Sequence, residues 1–472
     1  MFTLVGMRIF RIGLAFGLSV VLASAASGAQ LQAGFATEDI TPPVGWRMSG
    51  YFYERLSGGI HDPLQAKAMV LREEDQRAAL VFCDLIGMPA VISSEIRQRA
   101  SRKTGIPMAN IFIAATHTHT GPLYYGALRE FLHQRAIEEH GNDPFEGVDY
   151  QGVLIDRLVA LIVKADRALQ PVELDIGKTT VPGLSFNRRY HMKNGSVQFN
   201  PGKTNENILR PAGPVDAELI FLAIKAAKRT QTISGLTSFA LHADTVGGSN
   251  YGADFPGYID RSLKRTFGPD FVSLFANGPC GDINHVDVSD PRPQKGDEEA
   301  QRIGGVLAGQ IGGLLGSLHP VKRAALTVRS TLVKVPLQQY SREQIAQARE
   351  NMKKIGTSAL PFLQQVESYK IMDLQWRNTN ALLLPVQVFR LGSDTAIVAL
   401  PGEIFTELGV AIKKQSRFAN TIIVELANDS IGYVPTKKAF REGSYEVVNS
   451  RVQPGGGEML VEAAIGLLTS LQ

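Results

Sequence analysis

Cysteine is almost absent from this chain of 472 residues, in which Cys83 and Cys280 are the only two. Two thiols exclude a disulfide framework and a zinc cluster built on cysteine. A single bridge remains open in an oxidising compartment, but both residues lie in apolar, strand-like runs, which favours two separate buried thiols. Basic runs with interleaved aromatic residues are also missing, and the formal charge is only +4. We therefore expect no nucleic-acid partner.

Long apolar runs are missing beyond the N-terminus, so we expect no integral membrane segment in the mature chain. At the N-terminus, Arg8 and Arg11 precede a short apolar run, and a stretch of small residues follows. This order predicts a secretory signal peptide over residues 1–29, and hence a secreted or periplasmic protein. The alternative is an uncleaved membrane anchor, for which the apolar run is short.

Strand-like and helix-like segments alternate along the rest of the chain, without repeats or low-complexity linkers. The apolar or alternating segments 66–71, 78–83, 110–115, 218–224, 238–241, 271–275 and 421–426 predict strands, and 325–337 and 382–399 predict long strands or hairpins. Helical periodicity predicts helices at 92–104, 150–169, 258–267, 298–315, 341–355 and 458–471. Together these elements predict an α/β (mixed α+β) fold, with layered β-sheets covered by helices, as one domain over residues 30–472.

The segment 111–122, IFIAATHTHTGP, carries the strongest chemical signal. A β-forming run ends in His117 and His119, which are two residues apart. In an extended chain such residues share a face, so both imidazoles would point into one space. That arrangement suits metal binding or acid–base work. The alternative is a pair of surface histidines in a loop.

Further polar clusters follow strand-like runs at wide intervals. They are HADT at 242–245, NGPCGDINH at 277–285, PGE at 401–403 and NDSIGY at 428–433. Functional residues that collect at strand ends from distant parts of the chain are typical of layered α/β enzymes.

This series, in this order, resembles the neutral (non-lysosomal) ceramidase family. The segment THTHTGP is similar to the family's THTHSGP, Asn187-Arg188 to its NRS element, Gly281–Asn284 to its GDVSPN, Pro401–Glu403 to its PGEFTT, and Tyr445–Val448 to the end of its tyrosine-containing stretch, YEAA. The resemblance covers nearly the whole mature chain, but between the motifs the sequence similarity is weak. It implies a zinc-dependent hydrolase that cleaves the amide of an N-acylsphingosine-like substrate, a lipid-like small molecule.

The resemblance implies one zinc ion held by His117, His242, Glu403 and Tyr433. Two neutral imidazoles and a carboxylate leave zinc an open position for water, whose pKa can fall to about 7. A phenolate is a hard oxygen donor, although such nitrogen and oxygen sets also accept manganese or iron. From the residues alone, Glu403 could instead stabilise a helix N-terminus, Tyr433 could be an ordinary half-buried tyrosine, and His242 a core histidine.

The resemblance also assigns substrate contacts. His119, Arg188 and Tyr445 are similar to the family's contacts to the substrate carbonyl and its oxyanion. Asp282 would orient a ligand histidine as an outer carboxylate, or would simply form a turn.

The chain departs from the family where the nucleophilic serine is expected. Asn284 stands there, followed by His285, and an amide cannot replace a hydroxyl as a nucleophile. Catalysis would then depend on metal-activated water, with His119, Asp282 or His285 as acid or base. A solvent-exposed loop residue is the alternative for His285. We also expect the C-terminal β-sandwich domain of ceramidases to be absent.

Three hypotheses follow. The chain hydrolyses an N-acylsphingosine-like amide, or it is a zinc hydrolase of a more polar substrate such as a sugar derivative, another amide or an ester, or it is a non-catalytic metal- or ligand-binding homologue. Exposed aromatic residues beside the pocket would favour the first. A polar pocket walled by Arg188, Arg189 and Asp244 would favour the second. A pocket without convergent His117, His242 and Glu403 would favour the third.

Overall fold

The computed structural model describes residues 1–3, 30–227, 229 and 231–471, so residues 4–29 of the expected signal peptide lie outside the described residues. The larger strands form two sheets. The first contains β1 (Gln32–Asp39), β2 (Gln65–Glu73), β3 (Gln76–Cys83), β4 (Ile111–Ala115), β5 (Gln170–Thr180), β6 (Glu218–Ala226), β7 (Thr232–Phe239) and β8 (Val272–Asn277). The second contains β9 (Thr327–Pro336), β10 (Ala381–Arg390), β11 (Thr395–Ala399) and β12 (Asn420–Val424).

Helices lie around these sheets. They are α1 (Ala90–Thr104), α2 (Gly126–His140), α3 (Tyr150–Arg167), α4 (Phe255–Phe267), α5 (Asp297–Leu314), α6 (Arg342–Met352), α7 (Phe362–Arg377), α8 (Thr406–Gln415), α9 (Lys437–Glu442), α10 (Tyr445–Val448) and α11 (Gly456–Ser470). The apolar sides of α1 and α3 pack on β1–β4, those of α4 and α5 on β6–β8, and those of α8 and α11 on the second sheet. Within the described ranges, no helix has both the length and the apolar character that a bilayer crossing needs.

The first sheet consists of two halves that meet at one short junction. Its strand order is β8-β7-β6-β5-β1-β2-β3-β4, and β1 pairs with β5 only at Gln32 and Ala33. Neighbours are antiparallel, except that β4 runs parallel to β3 and β8 runs parallel to β7. Both halves and the second sheet share one apolar core, to which Phe112, Leu222 and Phe389 contribute. Because the two halves of the first sheet and the second sheet bury this core together, their relative positions are fixed.

This arrangement brings strand ends from distant parts of the chain together. The side-chain amide of Asn277, at the end of β8, donates to the carbonyl of Thr116 just after β4 at 3.4 Å. The backbone N–H of Glu425, just after β12, donates to the carbonyl of Asn277 at 3.0 Å. The segments that follow β4, β8 and β12 therefore surround one small region.

The predicted fold class is confirmed, and each predicted strand and helix has a counterpart in the structure. The segment 382–399 forms the hairpin β10–β11, and Cys83 and Cys280 are separate buried thiols. The strand expected at 238–241 lies earlier, at β7, which ends at Phe239, so two residues separate its end from His242. The sequence analysis missed β1, β5, α2 and α7. The strand β5 opens with Gln-Pro and carries several charged residues, and its pairing with β6 decides its conformation rather than its own apolar pattern.

A buried polar contact joins the second sheet to the first. The side-chain amide of Gln387, on β10, donates to the carbonyls of Ala109 and Ile111 at 2.6 and 3.1 Å. Its side-chain oxygen accepts from Nδ2 of Asn428 at 2.7 Å, and Oδ1 of Asn428 accepts the N–H of Ile113 at 3.1 Å. Because both side chains are buried, every one of these groups depends on a partner inside the protein.

We expect Gln387→Leu to lower the free energy of unfolding by roughly 2–4 kcal/mol, because it removes the hydrogen-bond partner of the buried Asn428 amide and of the buried Ile111 carbonyl. Urea unfolding followed by circular dichroism measures the change. The matched control is Gln347→Leu on the exposed face of α6, which should change little. Equal effects of the two variants would show that the junction is not held by this contact.

Candidate metal centre and adjoining cavity

His117 and His242 face each other, with their Nε2 atoms 3.0 Å apart. The Nδ1 of His117 lies 2.7 Å from the carbonyl oxygen of Ile86, and the Nδ1 of His242 lies 3.0 Å from that of Cys280. A backbone carbonyl can only accept, so each Nδ1 carries a proton, and a ring in its neutral form directs its Nε2 lone pair toward the other ring. Two facing lone pairs are stable only with a cation or a proton between them.

Glu403 completes a triangle of ligand atoms. Its Oε2 lies 3.4 Å from Nε2 of His117 and 3.5 Å from Nε2 of His242. This oxygen is buried and takes part in no hydrogen bond among the described residues. Two ligand atoms at 2.0–2.1 Å from a tetrahedral zinc ion are about 3.3 Å apart. The three separations therefore fit a zinc ion.

The surroundings shift the pKa values of all three groups. Burial alone would lower the pKa of His117, but the adjacent Glu403 outweighs it, so this pKa is raised. Burial, and then the nearby Arg188 and His117, lower the pKa of His242 well below its usual value. Burial alone would raise the pKa of Glu403, but His117 and Arg188 outweigh it, so the pKa is lowered. At neutral pH the site thus presents a neutral imidazole and an ionised carboxylate.

A second carboxyl group lies behind the ligands. Burial raises the pKa of Glu425 to about 8, so this group is mostly protonated at neutral pH. Its Oε1 lies 2.7 Å from the thiol of Cys280, and its Oε2 accepts the N–H of Ile404 at 2.7 Å. Glu403 is therefore the carboxylate that supplies negative charge to the centre.

His117 and His119 converge, but the expectation of a shared strand face is wrong. The strand β4 ends at Ala115, and His117 has a φ of 72°, in the left-handed region. A turn, rather than strand alternation, brings the two ring centres to 5.0 Å. The ligand atoms of His117, His119 and His242 all lie within 4.8 Å of one another. His119 is therefore an alternative to Tyr433 as a further ligand.

Tyr433 lies beside Glu403 because of a short parallel strand pair. Glu403–Ile404 pairs with Tyr433–Val434, and Glu403 stands directly opposite Tyr433. Directly opposed residues present their side chains on the same face of a sheet. The Tyr433 ring is also nearly parallel to that of His242, with the ring centres 6.4 Å apart.

Arg188 is buried behind the tyrosines. Its Nε donates to Oε1 of Glu446 at 2.8 Å, and its Nη2 donates to the carbonyl of Gly281 at 3.0 Å. The guanidinium carbon lies 5.3 Å from the ring centre of Tyr433 and 5.9 Å from that of Tyr445. Arg188 thus positions both rings, and the substrate contacts expected for Arg188 and Tyr445 stay predictions.

Asp282 does not orient a ligand histidine. Its Oδ1 accepts from the N–H and the hydroxyl of Thr406 at 2.8 and 2.9 Å, and its Oδ2 accepts from Nδ2 of Asn187 at 2.8 Å. Thr406 is the first residue of α8, so Asp282 rather than Glu403 is the carboxylate at that helix N-terminus. The Nδ1 atoms of His117 and His242, which Asp282 was expected to orient, are hydrogen-bonded to backbone carbonyls instead.

Asn284 and His285 are held in contacts away from the ligand triangle. The amide of Asn284 donates to Oδ1 of Asn200 at 3.1 Å, and its Oδ1 accepts the N–H of Val286 at 3.0 Å. The Nε2 of His285 lies 2.8 Å from the carbonyl oxygen of Gln294, and this buried ring lines a separate surface depression. The structure therefore does not bring either residue to the metal centre.

A cavity adjoins the ligands, with His117, His119 and Glu403 in its wall. Its other lining includes Tyr51, Phe52, Tyr125, Tyr369, Tyr433 and Tyr445, together with Asp373, Arg377 and Arg451. The wall is mixed, with charged residues among aromatic and aliphatic ones, and it does not contain Arg188, Arg189 or Asp244, the residues expected to form a polar pocket. Asp244, for example, lies behind Tyr51, whose hydroxyl donates to it at 3.2 Å. Phe362, which is half exposed, packs on Phe52, so aromatic residues also flank the cavity.

The charged part of this wall was missed by the sequence analysis. Asp373 and Arg377 lie one turn apart on α7, and Arg451 lies in a loop after the Tyr445 motif. An acid and a base at positions i and i+4 usually mark an exposed helix face, so the sequence carries no local sign of their role. The backbone carbonyls of Ile86 and Cys280 leave no sequence signal either, because every amino acid has a backbone carbonyl.

Comparison with known families identifies the fold. The sequence model of the neutral/alkaline non-lysosomal ceramidase family, N-terminal region, matches residues 31–287. The chain belongs to this family. The matched range contains His117, His119 and His242, whereas Glu403 and Tyr433 lie beyond it.

Individual ceramidases are distant relatives. The neutral ceramidase of Mycobacterium tuberculosis is 23% identical over 247 residues, which are 49% of this chain and 36% of that protein. The neutral ceramidase of Pseudomonas aeruginosa is 24% identical over 252 residues, 50% of this chain and 34% of that protein. The matched segments thus span about a third of these relatives.

The fold comparison extends further along the chain. The crystal structure of the neutral ceramidase from Pseudomonas aeruginosa superposes with a TM-score of 0.71 at 20% identity, over 94% of this chain and 74% of that one. A structure described as a ceramidase complexed with C2 gives a TM-score of 0.69 at 17% identity, over 94% and 75% of the two chains. The shared fold therefore extends well beyond residue 287, where the match to the family's sequence model ends.

The buried pair behind the tyrosines should contribute strongly to stability. Glu446 is fully buried and contacts Arg188 at 2.8 Å and Arg189 at 3.4 Å. We expect Glu446→Ala to lower the free energy of unfolding by roughly 3–5 kcal/mol, because it leaves buried guanidiniums uncompensated. Chemical denaturation measures this. The exposed pair of Glu350 and Lys353 provides the control, since Glu350→Ala should leave stability essentially unchanged; a similar result for Glu446→Ala would contradict the assigned role.

Proposed function

We propose that this chain is a metal-dependent amidohydrolase with zinc held by His117, His242, Glu403 and Tyr433. The observation that carries the proposal is the convergence of two Nε2 atoms and one carboxylate oxygen within 3.0–3.5 Å of one another. These atoms are buried, and their spacing suits tetrahedral zinc. Family membership supports an amide as the bond that is cleaved.

The ion would supply Lewis-acid polarisation of the carbonyl and a water of lowered pKa. His117, His242 and Glu403 would hold it in place, together with Tyr433, which lies beside them on the Glu403 face. In the overall reaction water adds its oxygen to the carbonyl carbon, the C–N bond breaks, and the amine nitrogen takes up a proton. No residue at position 284 is needed for this, because the nucleophile is water.

His119 is the residue we assign to proton transfer. It lies in the cavity wall, and neither of its ring nitrogens forms a well-aligned hydrogen bond among the described residues. Its Nδ1 is 3.3 Å from Oδ1 of Asp244, a short distance with poor alignment. An imidazole nitrogen without a committed partner beside the ligands is placed to give or take the proton of the reacting groups. Tyr445 shares the same wall and would contact the substrate carbonyl.

The proposed substrate is an N-acylated amine, with N-acylsphingosine-like lipids as the class that the family suggests. The N-terminal sequence supports export, so we propose that the protein acts in a secreted or periplasmic setting. The aromatic residues around the cavity would contact the apolar part of such a substrate.

We expect the purified wild type to contain about one zinc ion per chain, and His117→Ala and His242→Ala to contain almost none. Each variant removes one of the two facing lone pairs, so metal and amidase activity should be lost together. Elemental analysis and amide hydrolysis measure the two losses.

Asn284→Ala is the matched control, because its amide contacts Asn200 and Val286 rather than the ligands. It should retain zinc. A wild type without metal after zinc supplementation would rule out the proposed mechanism and leave a non-catalytic ligand-binding protein. Zinc retained in His117→Ala would instead show that the ligand set is wrong.

A further inference from the structure

Two arginines in the cavity wall share one carboxylate. The Nε atoms of Arg377 and Arg451 both donate to Oδ2 of Asp373, at 3.1 and 2.9 Å. The next carboxylate, Asp429, is 3.9 Å from Nη1 of Arg377, beyond hydrogen-bond length. Two buried carboxylates therefore balance the charge of the two guanidiniums, but Nη1 of Arg377 keeps hydrogen-bond donors that neither carboxylate accepts.

The guanidiniums of Arg377 and Arg451 differ in how many of their N–H donors are already hydrogen-bonded within the protein. Nη1 of Arg451 donates to the backbone and side-chain oxygens of Asn449 at 2.6 and 2.8 Å, and the residue is almost fully buried. Nη2 of Arg377 donates to the carbonyl of Ser430 at 2.8 Å, while its Nη1 forms no hydrogen bond among the described residues. Arg451 is thus a fixed support, and Arg377 keeps donors for a ligand.

Two hydroxyl groups lie in the same wall. The hydroxyl of Tyr125 donates to Oγ of Ser430 at 2.7 Å, and both residues line the cavity beside Arg377. Gly87 lies against this pair, where a Cβ would come within 2.5 Å of both oxygens. The wall at this point consists of hydrogen-bonding groups held close together.

An alkyl chain is a poor occupant of such a wall. It would cover the guanidinium and hydroxyl groups without offering hydrogen bonds, which costs free energy for every polar group that loses water. A carboxylate, by contrast, accepts from a guanidinium in a charge-assisted geometry, and the planar fork of arginine matches it.

We propose that the cavity binds a carboxylate on the substrate at Arg377, so that the protein cleaves carboxylate-bearing amides such as N-acylated amino acids. The identity of the bond cleaved rests on the proposed function, whereas the anion site does not require catalysis. Arg451 and Asp373 position Arg377 through their shared hydrogen bonds, and Tyr125 and Ser430 supply further polar contacts.

The test compares N-hexanoylglycine with its neutral analogue N-hexanoylglycinamide, which differs only in the charge and hydrogen bonding of one group. In zinc-loaded wild type we expect kcat/KM for the acid to exceed that for the amide by about tenfold or more, the ratio that one charge-assisted hydrogen bond supports. In Arg377→Gln the ratio should fall close to one, mainly through a higher KM for the acid. Arg349→Gln, on the exposed face of α6, should keep the wild-type ratio.

Binding without catalysis separates this inference from the proposed function. By calorimetry, N-hexanoylglycine should bind the metal-free His117→Ala variant and fail to bind His117→Ala/Arg377→Gln. Selective binding without hydrolysis in zinc-loaded wild type would preserve the anion site and refute the amidohydrolase. Equal binding of both compounds by wild type, or binding of neither, would overturn the anion site. Arg377→Lys keeps the charge without the fork and should give an intermediate ratio; the wild-type comparison decides the matter if Arg377→Gln does not fold.

Discussion

Two backbone carbonyl oxygens, those of Ile86 and Cys280, determine what the centre of this protein can bind. By accepting the Nδ1 protons of His117 and His242 they turn both Nε2 lone pairs into one small volume. A rotated ring would lose its hydrogen bond, and a carbonyl has no second protonation state, so the tautomers are fixed by the main chain. The ligand geometry is therefore established by the path of two loops and exists before a substrate arrives.

The loop of Ile86 follows β3 and the loop of Cys280 follows β8, in different halves of the first sheet. The centre therefore also lies where these two halves meet. The contact of Gln387 with Asn428 attaches the second sheet at the same place and leads directly into the segment that carries Tyr433. Gly281 allows the closest approach, since a Cβ there would lie 2.5 Å from the carbonyl oxygen of Glu403. Ligand positions and sheet packing thus depend on the same contacts, and a change in either would displace the other.

Much of the fold was predictable because most strands and helices carry their own apolar periodicity, as β3 and α3 do. The strand β5 was not, because its Glu173, Asp175 and Lys178 hide a pattern that becomes clear only when it pairs with β6. The ligand histidines were found through their motifs, but for His117 the reason was wrong, since a left-handed turn replaces the expected strand. The charged wall of Arg377 and Arg451 could not be found, because ordinary surface sequences contain the same residue types at the same spacing.

The left-handed turn at His117 also limits how this site can change over time. A residue other than glycine adopts that conformation at a cost, which is least for asparagine, aspartate and histidine and greatest for branched or bulky side chains. A descendant chain that no longer used the metal would preserve the turn most easily with asparagine, aspartate or glycine ahead of Thr118. Position 117 thus combines two separate requirements, the ligand role that we propose and the left-handed backbone conformation that the structure shows. The second does not depend on the first, and it restricts the amino acids tolerated there whether or not a metal is bound.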